Sequence, residues 1–274
     1  MFHYTDVYAL RSILENKKIR MTDYRFLNDR DEYNKGITFI CRAFKLFDEY
    51  PDKFPLEMRE SVKTALDIFE SQGLGGGYFE RSIFVASFSK TKNSLSQWRN
   101  YGSYSIEFDV DNLRRERNHP EITATLDCYY YHSESDGVDH AVSIIKEKII
   151  PSLMECNVDD LGFAVEFLIL DLMISYALCF KDSSFEHENE VRIISLRFLS
   201  YFPDVFFRER QGALVPYVEL DFDLTAIKGV MLGPSDNQES SLISLSMLIL
   251  KLNSSGESKP FKITVDSSKL PYRG

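Results

Sequence analysis

The sequence predicts an α+β fold, and three observations support that prediction. The chain has 274 residues, 44% hydrophobic and 27% charged, a composition typical of globular proteins with a sizeable core. Strand-like segments follow one another without regular intervening helices, which argues against a doubly wound parallel sheet. No fixed-period repeat or long polar linker divides the chain. We therefore expect one domain, residues 1–274, with helical insertions near 31–72 and 137–180.

Alternation of apolar and polar residues, the pattern of a half-buried strand, marks two of the predicted strands, and the others are strand-like apolar segments. The clearest example is the run Tyr104-Ser-Ile-Glu-Phe108. The predicted strands cover residues 1–4, 19–21, 83–88, 104–108, 124–131, 191–198, 214–222, 227–232 and 261–265.

Apolar residues at helical spacing predict the helices. Thr5 or Asp6 is a suitable N-cap for the first helix. The dense glycine run from Gly73 to Gly77 lacks the lysine of a phosphate-binding loop and is interpreted as a loop. Further helices are predicted through Ile40 and Phe44, from about 56 to 69, around 98–101, and over 137–153, 158–179 and 239–252.

Charge and cysteine content narrow the class of function. Acidic residues number 42 against 32 basic ones, and the formal net charge of −10 disfavours a long sequence-independent grip on phosphates or on an acidic membrane. The segment 161–180 is apolar but contains Glu166 and Asp171, so we expect a buried helix and no membrane insertion. The cysteines lack metal-ligand or disulfide spacing, which fits free thiols in a cytoplasmic protein. They are Cys41, Cys128, Cys156 and Cys179.

Polar residues at the ends of two predicted strands are candidate binding residues. His3 ends the first strand and is either a partly exposed histidine or a ligand-binding one. Ser87 and Ser89 project to one face of their strand, and aromatic residues follow closely. Two hydroxyls and an aromatic ring suit a flat polar ligand, although Trp98 also fits a core position.

A late acidic segment is the third candidate. Glu188 and Glu190 are predicted to share one face at the edge of a strand, and Arg192 continues that face. Two carboxylates so close raise the pKa of at least one of them unless a cation intervenes. The pattern fits either acid–base or cation-stabilising chemistry or a solvated strand end with an ion pair. P-loop, dinucleotide-fold, zincin and hydrolase motifs are absent, and no metal site is predicted.

Together, these segments resemble the bacterial domain-of-unknown-function family 2971. The resemblance covers nearly the whole chain in order. Its motifs are HYT, NDxxE, FS followed by WxxYG, ExExR, LGP and SxxPYR. Here they stand as His3-Tyr4-Thr5, Asn28-Asp29 with Glu32, Phe88-Ser89 with Trp98 and Tyr101-Gly102, Glu188, Glu190 and Arg192, Leu232-Gly233-Pro234, and Ser268 with Pro271-Tyr272-Arg273.

That family is similar to a divergent branch of the ADP-ribosyltransferase superfamily, which implies a split mixed β-sheet core with helical insertions. The resemblance implies that Glu190 is the catalytic carboxylate, that Glu188 helps to select the acceptor, and that His3 binds a ribose hydroxyl of NAD. It also implies binding roles for residues in the first strand, the serine-containing strand and the aromatic segment. These are Tyr4, Thr5, Ser87, Ser89, and Trp98 or Tyr101 as the wall for nicotinamide.

The resemblance favours an NAD-dependent ADP-ribosyltransferase that needs no metal, acting as a toxin or anti-phage defence effector. Its expected partners are NAD, a protein or nucleic-acid acceptor, and a neutralising antitoxin or chaperone. A basic run, Arg114, Arg115 and Arg117, fits either nucleic-acid positioning or a solvated helix face. Two alternatives stay open: an inactive binding or regulatory module of the same fold, and a metal-dependent nuclease. The nuclease would use Asp29, Glu32, Glu188 and Glu190.

Overall fold

The computed structural model of this chain contains a mixed β-sheet with helices packed on both of its faces. It describes residues 1–27, 30–52, 54–72, 81–109, 112–113, 122–155, 164–198, 204–254 and 262–270. The strands are β1 (Phe2–Thr5), β2 (Lys18–Asp23), β3 (Arg81–Ser89), β4 (Tyr104–Phe108), β5 (Ile122–Asp127), β6 (Tyr129–Tyr131), β7 (Phe180–Asp182), β8 (Glu190–Phe198), β9 (Phe206–Arg210), β10 (Ala213–Asp221), β11 (Ile227–Leu232) and β12 (Thr264–Ser267). The α+β class is therefore confirmed.

Eight α-helical segments accompany these strands in the described residues. Asp6 caps the first helix, as predicted, by accepting a hydrogen bond from the Ala9 amide. The helices are α1 (Val7–Asn16), α2 (Arg30–Leu46), α3 (Leu56–Gln72), α4 (Leu95–Tyr101), α5 (Glu134–Ile144), α6 (Ile150–Met154), α7 (Ala164–Ala177) and α8 (Gln238–Ser254). A π-helical turn, Ile145–Ile149, joins α5 to α6. None of the helices in these ranges has the length and apolar character needed to cross a bilayer.

The sheet forks at β3. Along one edge, β3 pairs with β8 over its whole length. Along the other edge, Ser89 pairs with β1, whereas Phe84 and Val85 pair with β2. Neither β1 nor β2 pairs with residues 86–88, all of which the structure describes, so the two strands diverge there. One arm continues as β1, β4, β11 and β12 and the other as β2, β10 and β9.

The two faces of the sheet pack against different helices. On one face, Val85 and Ile194 belong to a core formed with α2, α3, α5, α6 and α7. On the other face, Phe84, Ala86 and Phe88 belong to a second core that includes residues of α1 and α8. Successive side chains of a strand point to opposite faces, which explains this division. The helical insertions therefore cover one face of β3 and β8.

Close packing between α2 and α7 fixes the first helical insertion. A Cβ atom on Gly36 would lie 2.1 Å from the carbonyl oxygen of Ala177, so only glycine allows this contact. The helices on this face run from Arg30 to Gln72 and from Glu134 to Ala177.

Two predicted strands differ from those observed, and two observed strands were not predicted. The strand expected over 124–131 is two strands, because the amide of Cys128 bonds to the Glu190 carbonyl and that of Tyr129 to the Cys179 carbonyl. The chain thereby leaves the main sheet, and β6 pairs in parallel with β7 in a separate sheet. Neither β7 nor β9 was predicted. The last strand begins at Thr264 instead of 261, a residue outside the described ranges.

Candidate functional site

A cleft of about 790 Å³ lies at the fork of the sheet, between the diverging strands β1 and β2. Residues from β1, β2, β3, α1, α4 and the segment between β7 and β8 line it. It brings together most of the residues that the sequence singled out. On its walls are His3, Tyr4, Thr5, Ser87, Ser89, Tyr101, Glu188, Glu190 and Arg192.

The side chain of His3 bridges from β1 to β3 at the fork of the sheet. Its Nδ1 lies 3.1 Å from the carbonyl oxygen of Ser87, to which a protonated Nδ1 donates. This carbonyl belongs to the part of β3 that neither β1 nor β2 pairs with, so the imidazole takes the place of a strand partner. Burial lowers the pKa of His3, so the neutral ring is favoured. Nε2 forms no hydrogen bond with a described residue.

The two serines of β3 share a face, as predicted, but their hydroxyls differ. Ser89 is buried; its Oγ donates to the Glu188 carbonyl at 2.7 Å and accepts from the Thr91 amide at 3.0 Å. Ser87 is exposed, and its hydroxyl bonds to none of the residues that the structure describes. Ser87 is therefore available to a ligand, whereas Ser89 holds the backbone that carries Glu188.

Five charged side chains form a buried network beside the serines. Nζ of Lys181 lies 2.5 Å from Oε2 of Glu188, 2.8 Å from Oε2 of Glu190 and 3.3 Å from Oε1 of Glu32. Arg192 binds Glu190 through Nε at 2.8 Å and Glu32 through Nη2 at 3.0 Å. Each side chain is at most 9% exposed. Three carboxylates thus face two cations.

The network keeps Glu190 ionised. Burial alone would raise the pKa of Glu190, but the charges of Arg192 and Lys181 outweigh it and lower that pKa to about 2. The repulsion expected from the sequence between Glu188 and Glu190 is therefore relieved, and Arg192 supplies one of the cations, as predicted. For Glu32, burial prevails and its pKa is raised.

The backbone conformation before β8 differs from the prediction. Glu188 does not lie in the strand; it ends a 3₁₀ helix, Ser183–Glu188. Asn189 follows in the left-handed region, with φ 45° and ψ 54°, and β8 begins at Glu190. Both carboxylates still meet at Lys181, through this turn and not through strand periodicity. The amide of Glu190 donates to the Tyr130 hydroxyl at 2.7 Å, which fixes the first residue of the strand.

Trp98 does not line the cleft. Its ring is 5% exposed, packs edge-on against Tyr4 at 4.6 Å, and donates from Nε1 to Oδ1 of Asn93 at 2.8 Å. Ser268 binds the same Oδ1 at 2.9 Å, and a Cβ on Gly233 would lie 2.7 Å from the indole ring. Ser268 and Gly233 therefore belong to the surroundings of Trp98 and not to the cleft, and the core interpretation of Trp98 is correct.

The aromatic residues at the cleft are Tyr101 and Phe185. Tyr101 is 42% exposed, and burial of its hydroxyl, together with the charges of Glu188 and Glu190, raises its pKa to about 12. The Phe185 ring lies 5.2 Å from Nζ of Lys181. Tyr4 donates its hydroxyl to the Thr91 carbonyl at 2.7 Å, and Thr5 is buried, so these two shape the wall of the cleft.

Neither Lys181 nor Phe185 was predicted from the sequence as a residue of the site. Lys181 lies on the unpredicted strand β7, where no pattern indicated that its side chain would be buried. Several predicted residues lie outside the described ranges: Asn28, Asp29, the glycine run 73–77, the basic run 114–117, Cys156 and residues 271–273.

The carboxylates proposed for a metal site do converge, apart from the undescribed Asp29, but Lys181 and Arg192 already bind them. Among the described residues, no group of three or more His, Cys, Asp or Glu side chains is arranged to hold a metal ion. Cys41, Cys128 and Cys179 are free thiols. Comparisons with protein-family models, with curated proteins and with solved structures found no match.

Proposed function

We propose that this cleft binds NAD and transfers its ADP-ribose group to an acceptor, the activity of an ADP-ribosyltransferase. One observation carries the proposal: His3, the exposed hydroxyl of Ser87 and the ionised carboxylate of Glu190 line one cleft at the fork of the sheet. The resemblance to family 2971 assigns roles to these same positions. The forked sheet with helical insertions also agrees with an ADP-ribosyltransferase-like fold.

The charge of the network suits this reaction. When the bond between nicotinamide nitrogen and ribose C1′ breaks, nicotinamide leaves as a neutral molecule with the bonding electrons, and positive charge develops on the ribose. With all five groups ionised, three carboxylates outnumber two cations, so the buried cluster carries one net negative charge. Because both cations hold the carboxylates in place, little reorganisation is needed as the ribose charge develops.

Individual residues take distinct roles in the proposed reaction. Glu190 accepts a hydrogen bond from the ribose, while Nε2 of His3 binds a second ribose hydroxyl. Tyr101 or Phe185 provides an aromatic face for the nicotinamide ring. The acceptor nucleophile forms the new bond to C1′ and loses its proton, for which Glu188, on the wall of the cleft, is the candidate base.

Release of nicotinamide tests the proposal. Wild-type protein, with cell extract as the source of acceptor and a chelator present, should release labelled nicotinamide from NAD. The Glu190→Gln variant should retain less than about a tenth of the rate, which corresponds to a loss of more than ~1.4 kcal/mol of transition-state stabilisation. Glu186→Gln, which changes an exposed carboxylate nearby, is the matched control and should match wild type.

Three results would count against the proposal. A folded Glu190→Gln variant that keeps most of the activity would place the chemistry on another residue. Absence of nicotinamide release by the wild type would favour the inactive binding module. Nuclease activity that a chelator abolishes would favour the metal-dependent alternative, in which a metal displaces Lys181 from the carboxylates.

Transfer of labelled ADP-ribose to components of a cell extract identifies the class of acceptor. A net charge of −10 predicts weak binding to generic nucleic acid, so we expect a protein or a short unpaired nucleic acid, with protein preferred. Cell extract incubated with NAD labelled in the adenylate half is divided and treated with protease or nuclease. Label that survives protease and disappears with nuclease would overturn the preference for protein.

A further inference from the structure

The arm formed by β2, β10 and β9 presents a group of cations to the cleft in an otherwise acidic chain. Residues that pair directly across antiparallel strands lie on one face of a sheet. Tyr217 of β10 pairs with Thr22 of β2 and with Phe206 of β9, and alternate residues continue the same face. The cations of this face that line the cleft are Lys18, Arg20, Arg208 and Arg210.

Lys18 is already neutralised, but Arg20 is not. Nζ of Lys18 lies 2.7 Å from Oε2 of Glu219 and 3.7 Å from Oδ1 of Asp221. Glu219 is the direct cross-strand neighbour of Arg20, yet its carboxylate binds Lys18. The exposed guanidinium of Arg20 lies 4.7 Å from the centre of the Tyr217 ring and forms no ion pair with a described residue.

Arg208 has an unsatisfied donor. Its Nη2 lies 3.2 Å from Oγ1 of Thr22, but Nε is buried and bonds to no residue in the described part of the chain. Burial and the charges of Arg210 and Arg20 lower the pKa of Arg208, so these cations lie close enough to repel one another. A buried donor and mutual repulsion both cost free energy that a bound anion would recover.

The cations of the β2 arm and the carboxylate network lie on opposite sides of β3. Strand β3 separates β8, which carries Glu190, from β2, which carries Arg20. Two strand spacings amount to about 10 Å, and the divergence of β1 and β2 widens the gap. The cleft therefore has a negative side and a positive side about one nucleoside apart.

We propose that Arg20 and Arg208 form a subsite for the diphosphate of a dinucleotide, which fixes the direction in which the molecule lies in the cleft. This inference rests on the proposed function for the identity of the dinucleotide. In NAD, the nicotinamide ring carries a positive charge, and a single ribose separates it from the negative diphosphate. The cationic end then faces Glu190, the diphosphate faces the arginines, and the adenine extends along β9, where Phe206 is 44% exposed.

Binding of ADP-ribose tests the subsite without any reaction, because this molecule has the diphosphate but lacks the bond between ribose and nicotinamide. Calorimetric titration should show binding to the wild type, and affinity about tenfold lower in Arg20→Gln and in Arg208→Gln, the effect of losing a charge-assisted contact. Arg11→Gln, on the exposed surface of α1 and outside the cleft, is the control and should bind like wild type.

A second set of ligands separates this inference from its alternatives. Nicotinamide riboside lacks phosphate, so its cleavage should be unchanged in both arginine variants, whereas the KM for NAD should rise. Equal ADP-ribose binding by wild type and variants, or no binding by the wild type, would overturn the subsite. The subsite would also be overturned if the arginine variants lost affinity for a single-stranded oligonucleotide but bound ADP-ribose as tightly as the wild type does. Loss of ADP-ribose binding in a protein that never cleaves NAD would support the subsite and refute the proposed function.

Discussion

Lys181 allows three carboxylates to be buried together beside the cleft. Its ammonium group contacts all three, and the carboxylates of Glu190 and Glu32 raise its pKa although burial alone would lower it. A buried charge without a partner is costly, so each member of the network depends on the others. The ionised form of Glu190 is thus a property of the network and not of the residue alone.

Replacing Lys181 should therefore reduce stability strongly. We expect Lys181→Met to lower the free energy of unfolding at pH 7 by about 3–5 kcal/mol, because it leaves buried carboxylates with only Arg192 as a cation. The deficit should shrink as the pH falls towards 4.5, since the uncompensated carboxylates then take up protons. Urea unfolding at several pH values measures this, with Lys146→Met, an exposed ion-pair partner, as control. A deficit independent of pH would contradict the account.

The pH dependence of the proposed reaction follows from the same network. A pKa of about 2 keeps Glu190 ionised throughout the usual assay range, and the pKa of His3 is lowered, so neither group should limit activity above pH 6.5. We expect kcat/KM for NAD to show no loss attributable to Glu190 between pH 4 and pH 8. A loss of activity on acidification with its midpoint above pH 4, still present in His3→Asn and in Glu32→Gln, would show that Glu190 protonates in the free protein.

At the scale of elements, the turn between the 3₁₀ helix and β8 orients the two glutamates. Asn189 takes a left-handed conformation there, its amide donates to the Glu186 carbonyl and its carbonyl accepts from the Lys90 amide. Asparagine tolerates this conformation better than most residues, and glycine tolerates it best. The turn brings Glu188 towards Lys181 although Glu188 lies outside the strand.

Substitutions at Asn189 test the role of this turn. We expect Asn189→Gly to preserve stability and Asn189→Ala to lose about 1 kcal/mol, because alanine pays the steric cost of the left-handed conformation. Thermal and urea unfolding of the two variants, with NAD turnover measured in parallel, provide the comparison. Equal stability of the alanine and glycine variants would indicate that the backbone at residue 189 is not strained.

Local patterns in the sequence predicted most of the elements but not all the strands. Strand-like patterns identified β2, β3, β4, β8, β10 and β11, and an N-cap identified the start of α1. The three-residue strand β7 was missed because so short a segment carries no period, and its pairing with β6 depends on contacts distant in sequence. Lys181 was missed with it, whereas Arg192 was found because it continues the alternation of a long strand.

At the scale of the whole molecule, the forked sheet converts separate strand ends into one cleft. The first strand, a central strand and a late strand meet there, so residues far apart in the chain line the same cavity. The sequence suggested this convergence because each candidate stood at a strand end. The separation of charge across the cleft was not visible, since the net charge of −10 conceals the cations of β2 and β9.

The most direct test of the central claim is a crystal structure of the Glu190→Gln variant with NAD bound. The proposed function predicts that the nicotinamide ribose lies against residue 190 and His3, with the nicotinamide ring against Tyr101 or Phe185. It also predicts a contact between the exposed hydroxyl of Ser87 and the bound dinucleotide. NAD bound away from the fork of the sheet, or with its adenosine ribose at residue 190, would contradict the account.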